Sequence, residues 1–369
     1  MKKIGFIINP IAGLGGRAGF KGSDQIEHQQ KALASGYQKT SPQRARECLE
    51  QLSDLTDCCF LAPPGELGAD LLASMGLVHQ TIQLESLTNT GEDTSKCVQI
   101  FTEESVDLIL FCGGDGTARD ICSANTANIP VLGIPAGVKM YSGCFSVNPR
   151  IAGGILKKYI LERPTSIELR EVMDIDEKIL GTHGNSPKLY GYLPTLNEGA
   201  KLQGSKVASS STFQEAESLA AYRISQMLPD TLYIIGPGST TYKIKELLGI
   251  DGTLLGVDVV RNRLLLAKDA DEKKLLALIE KYDSCEIIVT CIGGAGFVFG
   301  RGNQQISASV IQAVGKGNIR LAVTKSKLAG LWQRPMLVDT GDSKIDDYLS
   351  GYYRIEFDEK ESAVYRIGK

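Results

Sequence analysis

The stretch Val106-Asp107-Leu108-Ile109-Leu110-Phe111-Cys112-Gly113-Gly114-Asp115-Gly116-Thr117 decides the fold class of this chain. Its first part is an apolar run of the kind that forms a buried strand in a parallel sheet. The glycines predict a tight turn, and residues 117–124 predict a helix whose positive N-terminal end faces that turn. This order of strand, glycine turn and helix indicates a place where a nucleotide binds.

Asp115 is the one charged residue of the turn 113–117. A carboxylate beside a sugar hydroxyl and phosphates suits either proton abstraction from that hydroxyl or Mg²⁺ coordination. A plain tight turn is the alternative, because Gly and Asp are common in turns. The position between a strand and a helix favours the functional interpretation.

The first 150 residues alternate apolar runs with helical stretches, which predicts a parallel α/β sheet. Strands are predicted at 3–9, 58–62, 81–84, 106–112 and 130–134, and helices at 43–52, 68–75, 94–104 and 117–124. Ligands bind at the carboxyl ends of such strands, where the segments 9–10, 113–117 and 133–139 are expected to form one cleft. Lys139 in this cleft would offset phosphate charge; an exposed surface lysine is the alternative.

The pattern changes near residue 164, where strand-like runs at 165–173, 175–181 and 188–193 follow one another. Alternation resumes further on, with strands predicted at 231–235, 254–260, 285–292 and 319–323 and a final pair at 351–357 and 363–367. Helices are predicted at 213–227, 242–248, 271–282 and 307–314. We therefore predict an α/β fold with an N-terminal domain over 1–160, a β-rich second domain over 161–335, and a segment 336–369 that returns to the first domain.

Three further glycine loops follow predicted strands. The loop 13–18 formally fits G-x-G-x-x-A, but 19–23 prolongs it, which disfavours a hydride-transferring dehydrogenase. Gly238, Ser239 and Thr240 precede a helix and either receive an anion or cap that helix. The loop 293–304 contains Arg301, whose planar cation suits phosphate, and Asn303.

Composition excludes several classes of protein. The 369 residues carry a net charge of −3 without a long basic block, which argues against nucleic acid as a partner. Nine cysteines without a C-x-x-C pair, as at Cys58, Cys59, Cys112 and Cys291, look like buried thiols in a reducing compartment, and no metal ligand is assigned. The sequence shows neither a signal peptide nor a membrane span, so a cytoplasmic protein is expected.

The motif Gly113-Gly114-Asp115-Gly116-Thr117 resembles the signature of the NAD kinase superfamily, which includes diacylglycerol kinases. The loop 236–242 resembles the second signature of NAD kinases, and the pair Asn197-Glu198 stands where those enzymes hold the NAD adenosine. The loops 133–140, 300–304 and 338–342 resemble the AcoX-like branch of the ATP-NAD kinase family.

This resemblance implies transfer of the γ-phosphoryl group of ATP or polyphosphate to the 2′-hydroxyl of the adenosine ribose of NAD, assisted by Mg²⁺. Asp115 would be the base. The resemblance also implies which residues bind the dinucleotide. Its site would be lined by Gly113, Gly114, Gly116 and Thr117. The adenosine part would be held by Asn197 and Glu198, and the same cleft would include Gly238, Ser239 and Thr240.

The loop 136–139 departs from both the NAD kinase pattern and the lipid kinase pattern, so the identity of the acceptor stays open. A nucleotide-binding sensor or accessory protein of a catabolic operon of the acetoin type, without catalysis, is one alternative. A lipid kinase or another small-molecule kinase of the same superfamily is the other. Self-association stays open as well.

Overall fold

A computed structural model describes residues 1–19, 26–52, 57–84, 87–88, 90–137, 140–161, 166–174, 188–197, 212–292, 296–331 and 334–369. The chain divides into two compact units. The first contains residues 1–14 and 22–205, and the second contains residues 15–21 and 206–369.

The first unit is built on a seven-stranded sheet with the order β3-β2-β1-β4-β5-β7-β6. Its neighbours pair in parallel except for β6, which runs antiparallel to β7. The strands are β1 (Lys2–Ile8), β2 (Cys58–Ala62), β3 (His79–Thr81), β4 (Leu108–Gly113), β5 (Val131–Pro135), β6 (Ser166–Asp174) and β7 (Lys188–Asn197).

Both faces of the sheet are buried at its central strands, where successive side chains point to opposite faces and both sets lie in apolar clusters. In β1, Phe6 and Ile8 belong to one apolar cluster and Ile7 to another. Helices cover the sheet, as expected for parallel strands. The helices of the first unit are α1 (Ile26–Ala34), α2 (Ser41–Leu49), α3 (Ala69–Ser74), α4 (Gly91–Glu103), α5 (Asp115–Ala124) and α6 (Pro149–Ile160).

The second unit has two sheets. Five strands follow the order β10-β9-β8-β11-β13, and four follow the order β12-β14-β16-β15. These strands are β8 (Leu232–Ile235), β9 (Asp258–Arg261), β10 (Leu264–Ala267), β11 (Cys285–Val289), β12 (Phe297–Phe299), β13 (Ile319–Leu321), β14 (Met336–Val338), β15 (Gly351–Glu356) and β16 (Ser362–Gly368). The helices are α7 (Thr212–Ser225), α8 (Ser239–Leu247), α9 (Glu272–Lys281), α10 (Ala308–Val314), α11 (Lys325–Ala329) and α12 (Ser343–Leu349).

The predicted α/β fold is confirmed. The strands predicted at 58–62 and 285–292 appear as β2 and β11, and the pair predicted at the C-terminus appears as β15 and β16. The segment 336–369 supplies β14, β15 and β16 to the second unit, while the predicted strand 175–181 lies outside the described residues. The helix α6 has no counterpart in the sequence-based prediction.

All nine cysteines are free, and Cys58, Cys59, Cys112 and Cys291 are buried as predicted. Across the described ranges, the helices are too short or too polar to cross a bilayer.

Candidate functional site

The turn after β4 is closely packed around Gly113 and Gly114. A Cβ atom on Gly113 would lie 2.4 Å from Oγ1 of Thr117. A Cβ atom on Gly114 would lie 3.3 Å from Cα of Gly137, which follows β5. The glycines of the motif therefore allow the turns after two neighbouring strands to approach each other.

The turns after β1, β4 and β5 lie together, as the sequence predicts. Nδ2 of Asn9 donates a hydrogen bond of 3.0 Å to Oγ1 of Thr117. The amide of Ala136 donates one of 2.9 Å to the carbonyl of Gly113. The described residues of the three predicted loops thus share one edge of the first sheet.

Asp115 is the first residue of α5 and is only 6% exposed. Its Oδ1 accepts hydrogen bonds from the amide of Ser142 at 2.9 Å and from Oγ of Ser142 at 2.6 Å. Its Oδ2 accepts one from the amide of Tyr141 at 2.7 Å. The side chain expected to act as a base is therefore fixed by three donors.

Burial raises the pKa of Asp115 from 3.8 to about 7, and the negative charge of Asp174 acts in the same direction. The hydrogen bonds from Ser142 and Tyr141 oppose this rise because they favour the ionised form. A carboxyl group that titrates near neutral pH can both take up and release a proton there.

Sequence reasoning missed Ser142. It lies 27 residues after Asp115 and belongs to no motif. A fully buried serine is identified only when the fold brings its partner to it. A polar residue between Tyr141 and Gly143, close behind a predicted strand end, was the one available signal.

In the second unit, the predicted loop 236–242 lies at the end of β8 and the start of α8. Gly238 has a φ of +122°, and a Cβ atom there would lie 2.7 Å from Cγ2 of Thr290. Ser239 is exposed and Thr240 is buried. Neither side chain caps the helix, since the N-cap residue is Gly238 and no side-chain cap bond forms.

Arg301 and Asn303 are both buried in the loop after β12. Nε of Arg301 lies 3.3 Å from Oδ2 of Asp339, and its guanidinium lies 4.7 Å from the ring centre of Phe297. Oδ1 of Asn303 accepts from the amide of Gly300, and its Nδ2 donates to the carbonyl of Val298. Asn303 therefore stabilises its own loop, whereas Arg301 joins that loop to Asp339, which follows β14.

Asp258 lies in β9 and forms a buried ion pair with Lys245 of α8, with 2.8 Å between Oδ2 and Nζ. It also accepts hydrogen bonds from the amides of Thr253 and Asp269. Burial acts to raise the pKa of Asp258, but the ammonium of Lys245 and the hydrogen bonds outweigh it and lower the pKa. An aspartate within the apolar run 254–260 of the sequence is a candidate metal or substrate contact, and the structure instead gives Asp258 a cationic partner.

Lys139 and Glu198 lie outside the described residues, and Asn197 is the last residue of β7, in register with Ser166 of β6. In the described parts of the chain, no group of three His, Cys, Asp or Glu side chains could hold a metal ion.

The fold and the carboxylate turn define an α/β protein with a candidate ligand site at the edge of a parallel sheet. Residues 4–163 match the family model of the ATP-NAD kinase N-terminal domain, and residues 228–367 match that of the ATP-NAD kinase C-terminal domain. The chain belongs to the ATP-NAD kinase family, which confirms the resemblance seen in its motifs. The matches do not distinguish the AcoX-like branch from the rest of the family.

No curated protein matches the chain. Among solved structures, UDP-GlcNAc 2-epimerase from Neisseria meningitidis bound to UDP-GlcNAc is 11% identical, with 95% of this chain and 80% of that chain covered and a TM-score of 0.23. The S. aureus MnaA-UDP co-structure is 13% identical, with coverages of 90% and 87% and a TM-score of 0.25. Scores this low do not indicate a shared fold.

Proposed function

We propose that this protein is an ATP-NAD kinase, which transfers the γ-phosphoryl group of ATP to the 2′-hydroxyl of the adenosine ribose of NAD and produces NADP. One observation carries the proposal: a chain of this family holds Asp115, a buried carboxyl group that titrates near neutral pH, in a glycine turn at the end of a parallel strand.

In the proposed reaction, the carboxylate of Asp115 accepts the proton of the ribose hydroxyl. The hydroxyl oxygen then bonds to the γ-phosphorus as the bond between that phosphorus and the β–γ bridging oxygen breaks, and ADP leaves. Oδ2 accepts one hydrogen bond and Oδ1 accepts two, so the carboxylate keeps a lone pair for the incoming proton.

The same proposal assigns binding roles to the predicted residues. Backbone amides of a glycine turn at a helix N-terminus attract phosphate, which supports a binding role for the turn that contains Asp115. We propose the following residues as ligand contacts: Gly113, Gly114, Gly116, Thr117, Lys139, Asn197, Glu198, Gly238, Ser239, Thr240, Arg301 and Asn303.

We propose Mg²⁺ as the cation that accompanies the phosphoryl donor. Proteins usually bind Mg²⁺ through one or two carboxylates together with substrate phosphates, which does not require a cluster of three ligating side chains. Bound with the donor, Mg²⁺ would neutralise the negative charge of its phosphates.

The function is tested by incubating the purified protein with Mg²⁺-ATP, or with polyphosphate, and a set of acceptors: NAD, NADH, sugars, acetoin-pathway metabolites and lipid micelles. ADP and the masses of the products are followed together. With ATP as the donor and NAD as the acceptor, we expect ADP and NADP to form in equal amounts.

Two outcomes would overturn the proposal. ADP that forms in proportion to another acceptor, such as a lipid, would assign a different kinase activity. ATP or NAD that binds and stays intact with every acceptor would support a sensor or accessory protein. The Asp115→Asn protein is the matched control, since it should bind NAD and form NADP far more slowly than the wild-type protein.

A further inference from the structure

The loop after β5 is fixed between two strands of the first sheet. The amide of Gly133 in β5 donates to the carbonyl of Cys144 at 2.9 Å, and the amide of Gly143 donates to the carbonyl of Glu171 in β6 at 2.9 Å. Ser142 lies within this fixed segment and is completely buried. Its position therefore depends on the fold of the sheet and not on the loop alone.

Ser142 joins the carboxylate of Asp115 to the backbone of β6. Its Oγ donates to Oδ1 of Asp115 at 2.6 Å and accepts from the amide of Met173 at 3.0 Å. The register between β6 and β7 shifts between Val172 and Met173. Such an irregularity redirects backbone groups away from the regular ladder, and here they meet Ser142.

We propose that Ser142 is a positioning residue for the reaction: it holds Oδ1 of Asp115, so that Oδ2 is the oxygen that receives the proton of the acceptor hydroxyl. This inference deepens the proposed kinase function and depends on it for the identity of the reaction. The arrangement of the two side chains does not depend on it.

The hydrogen-bond pattern distinguishes the two carboxylate oxygens. Oδ1 receives both the amide and the hydroxyl of Ser142, whereas Oδ2 receives the amide of Tyr141. A carboxylate offers about four lone-pair positions in total. Oδ1 is therefore filled by Ser142, and Oδ2 retains a position for the substrate proton.

Ser142 keeps a partner in both charge states of Asp115. A hydroxyl group has one proton and rotates to suit its neighbours. The carbonyl oxygen of Met173 also lies 3.0 Å from Oγ, so it is a second acceptor for this proton. The buried hydroxyl of Ser142 therefore has a hydrogen-bond acceptor whether Asp115 is ionised or protonated.

The charged and titratable groups around Asp115 come from three elements. On β6, Asp174 raises the pKa of Asp115 and is itself paired with Arg119 of α5 at 2.5 Å. Arg119 also lies 3.4 Å from Asp120. In the loop, the pKa of Tyr141 and that of Cys144 are raised by burial first and by Asp115 second. Ser142 contributes the strongest hydrogen bond that favours the ionised carboxylate.

The test compares Ser142→Ala and Ser142→Cys with the wild-type protein across pH 5 to 10. Removal of a donor from a charged acceptor should move the acidic limb of kcat/KM upward by about one to two pH units. From a carboxyl pKa of about 7, this gives roughly a five- to fifty-fold loss at pH 7 that is recovered at high pH. A thiol is a weaker hydrogen-bond donor than a hydroxyl. The acidic limb of kcat/KM for Ser142→Cys should therefore lie between that of the wild-type protein and that of Ser142→Ala.

Ser146→Ala is the matched control. Ser146 is also completely buried in this loop, and its Oγ donates to the carbonyl of Asn148 at 2.8 Å without contacting Asp115. The control should lose a similar amount of thermal stability and keep the wild-type acidic limb. An equal shift in Ser146→Ala, or an unmoved limb in both Ser142 variants, would overturn the positioning role.

A second measurement separates this inference from the kinase proposal. Carboxyl ¹³C resonances of aspartate-labelled protein are titrated without substrate, and the resonance of Asp115 is identified by its loss in Asp115→Asn. Its midpoint should rise in Ser142→Ala whichever reaction the protein catalyses. An unchanged midpoint would refute the role of Ser142, whereas a raised midpoint in a protein without kinase activity would refute the reaction alone.

Discussion

Two buried aspartates, one in each compact unit, show how a neighbour decides the chemistry of a carboxyl group. Asp115 is held by neutral donors, and burial raises its pKa to about 7. Asp258 is buried beside the ammonium of Lys245, and its pKa is lowered. Burial alone therefore does not mark a functional carboxylate, because the partners of the buried group help to set its pKa.

The largest expected effect is on catalysis. Asp115→Asn removes the proposed proton acceptor and should lower kcat by about 10²- to 10⁴-fold, with the Kd for NAD changed little. Initial rates and equilibrium binding measure the two quantities. The control is Asp120→Asn on the same helix, which should keep most of the activity; equal losses in both variants would contradict the distinction between them.

The second effect is on stability and concerns the ion pair in the second unit. Lys245→Met leaves Asp258 buried without its cation and should lower the free energy of unfolding by about 3–5 kcal/mol. Chemical denaturation measures the loss. Lys245→Met combined with Asp258→Asn should cost less than the sum of the two single changes; simple additivity would show that the pair is not coupled.

The third effect is a pH dependence of opposite sign for the two aspartates. Unfolded Asp115 loses its proton near pH 3.8 and the folded residue near pH 7, so the folded state binds more protons between these values and stability falls as the pH rises. Asp258 has a lowered pKa, so its contribution is present at neutral pH and is lost as the pH falls through the pKa of the folded state.

Melting temperatures of wild-type and Asp115→Asn proteins check this sign. From pH 4 to pH 7, the wild-type value should fall by about 5 °C relative to that of the variant. Parallel curves for the two proteins would show that Asp115 has an ordinary pKa when folded.

The smallest effect distinguishes a structural role of Asn303 from a role in ligand binding. Asn303→Ala removes the side-chain hydrogen bonds to the amide of Gly300 and the carbonyl of Val298 and should cost about 1–3 kcal/mol of stability. The exposed Asn318→Ala is the control and should cost less. A raised KM for NAD or ATP with unchanged stability would instead favour Asn303 as a ligand contact.

The sequence predicted what local pattern and spacing determine. The apolar run before Gly113 gave β4, the glycines gave the turn, and Asp115 was recognised as the charge within it. Asp258 was recognised as unusual because it interrupts an apolar stretch. Each of these features is determined by a few consecutive residues.

The partners of both aspartates were not predictable in the same way. Lys245 lies in a helix where a lysine ordinarily faces solvent, and Ser142 lies in a loop whose position depends on hydrogen bonds to β5 and β6. Such contacts join residues far apart in the chain, and periodicity contains no information about them.

Because Cys112 and Cys291 are buried, their reaction with a thiol reagent can measure local unfolding of each unit. A thiol reagent reaches Cys112 in the first unit or Cys291 in the second once the surrounding core has separated. With the other cysteines replaced, the labelling rate at each position would time the opening of one unit independently of the other.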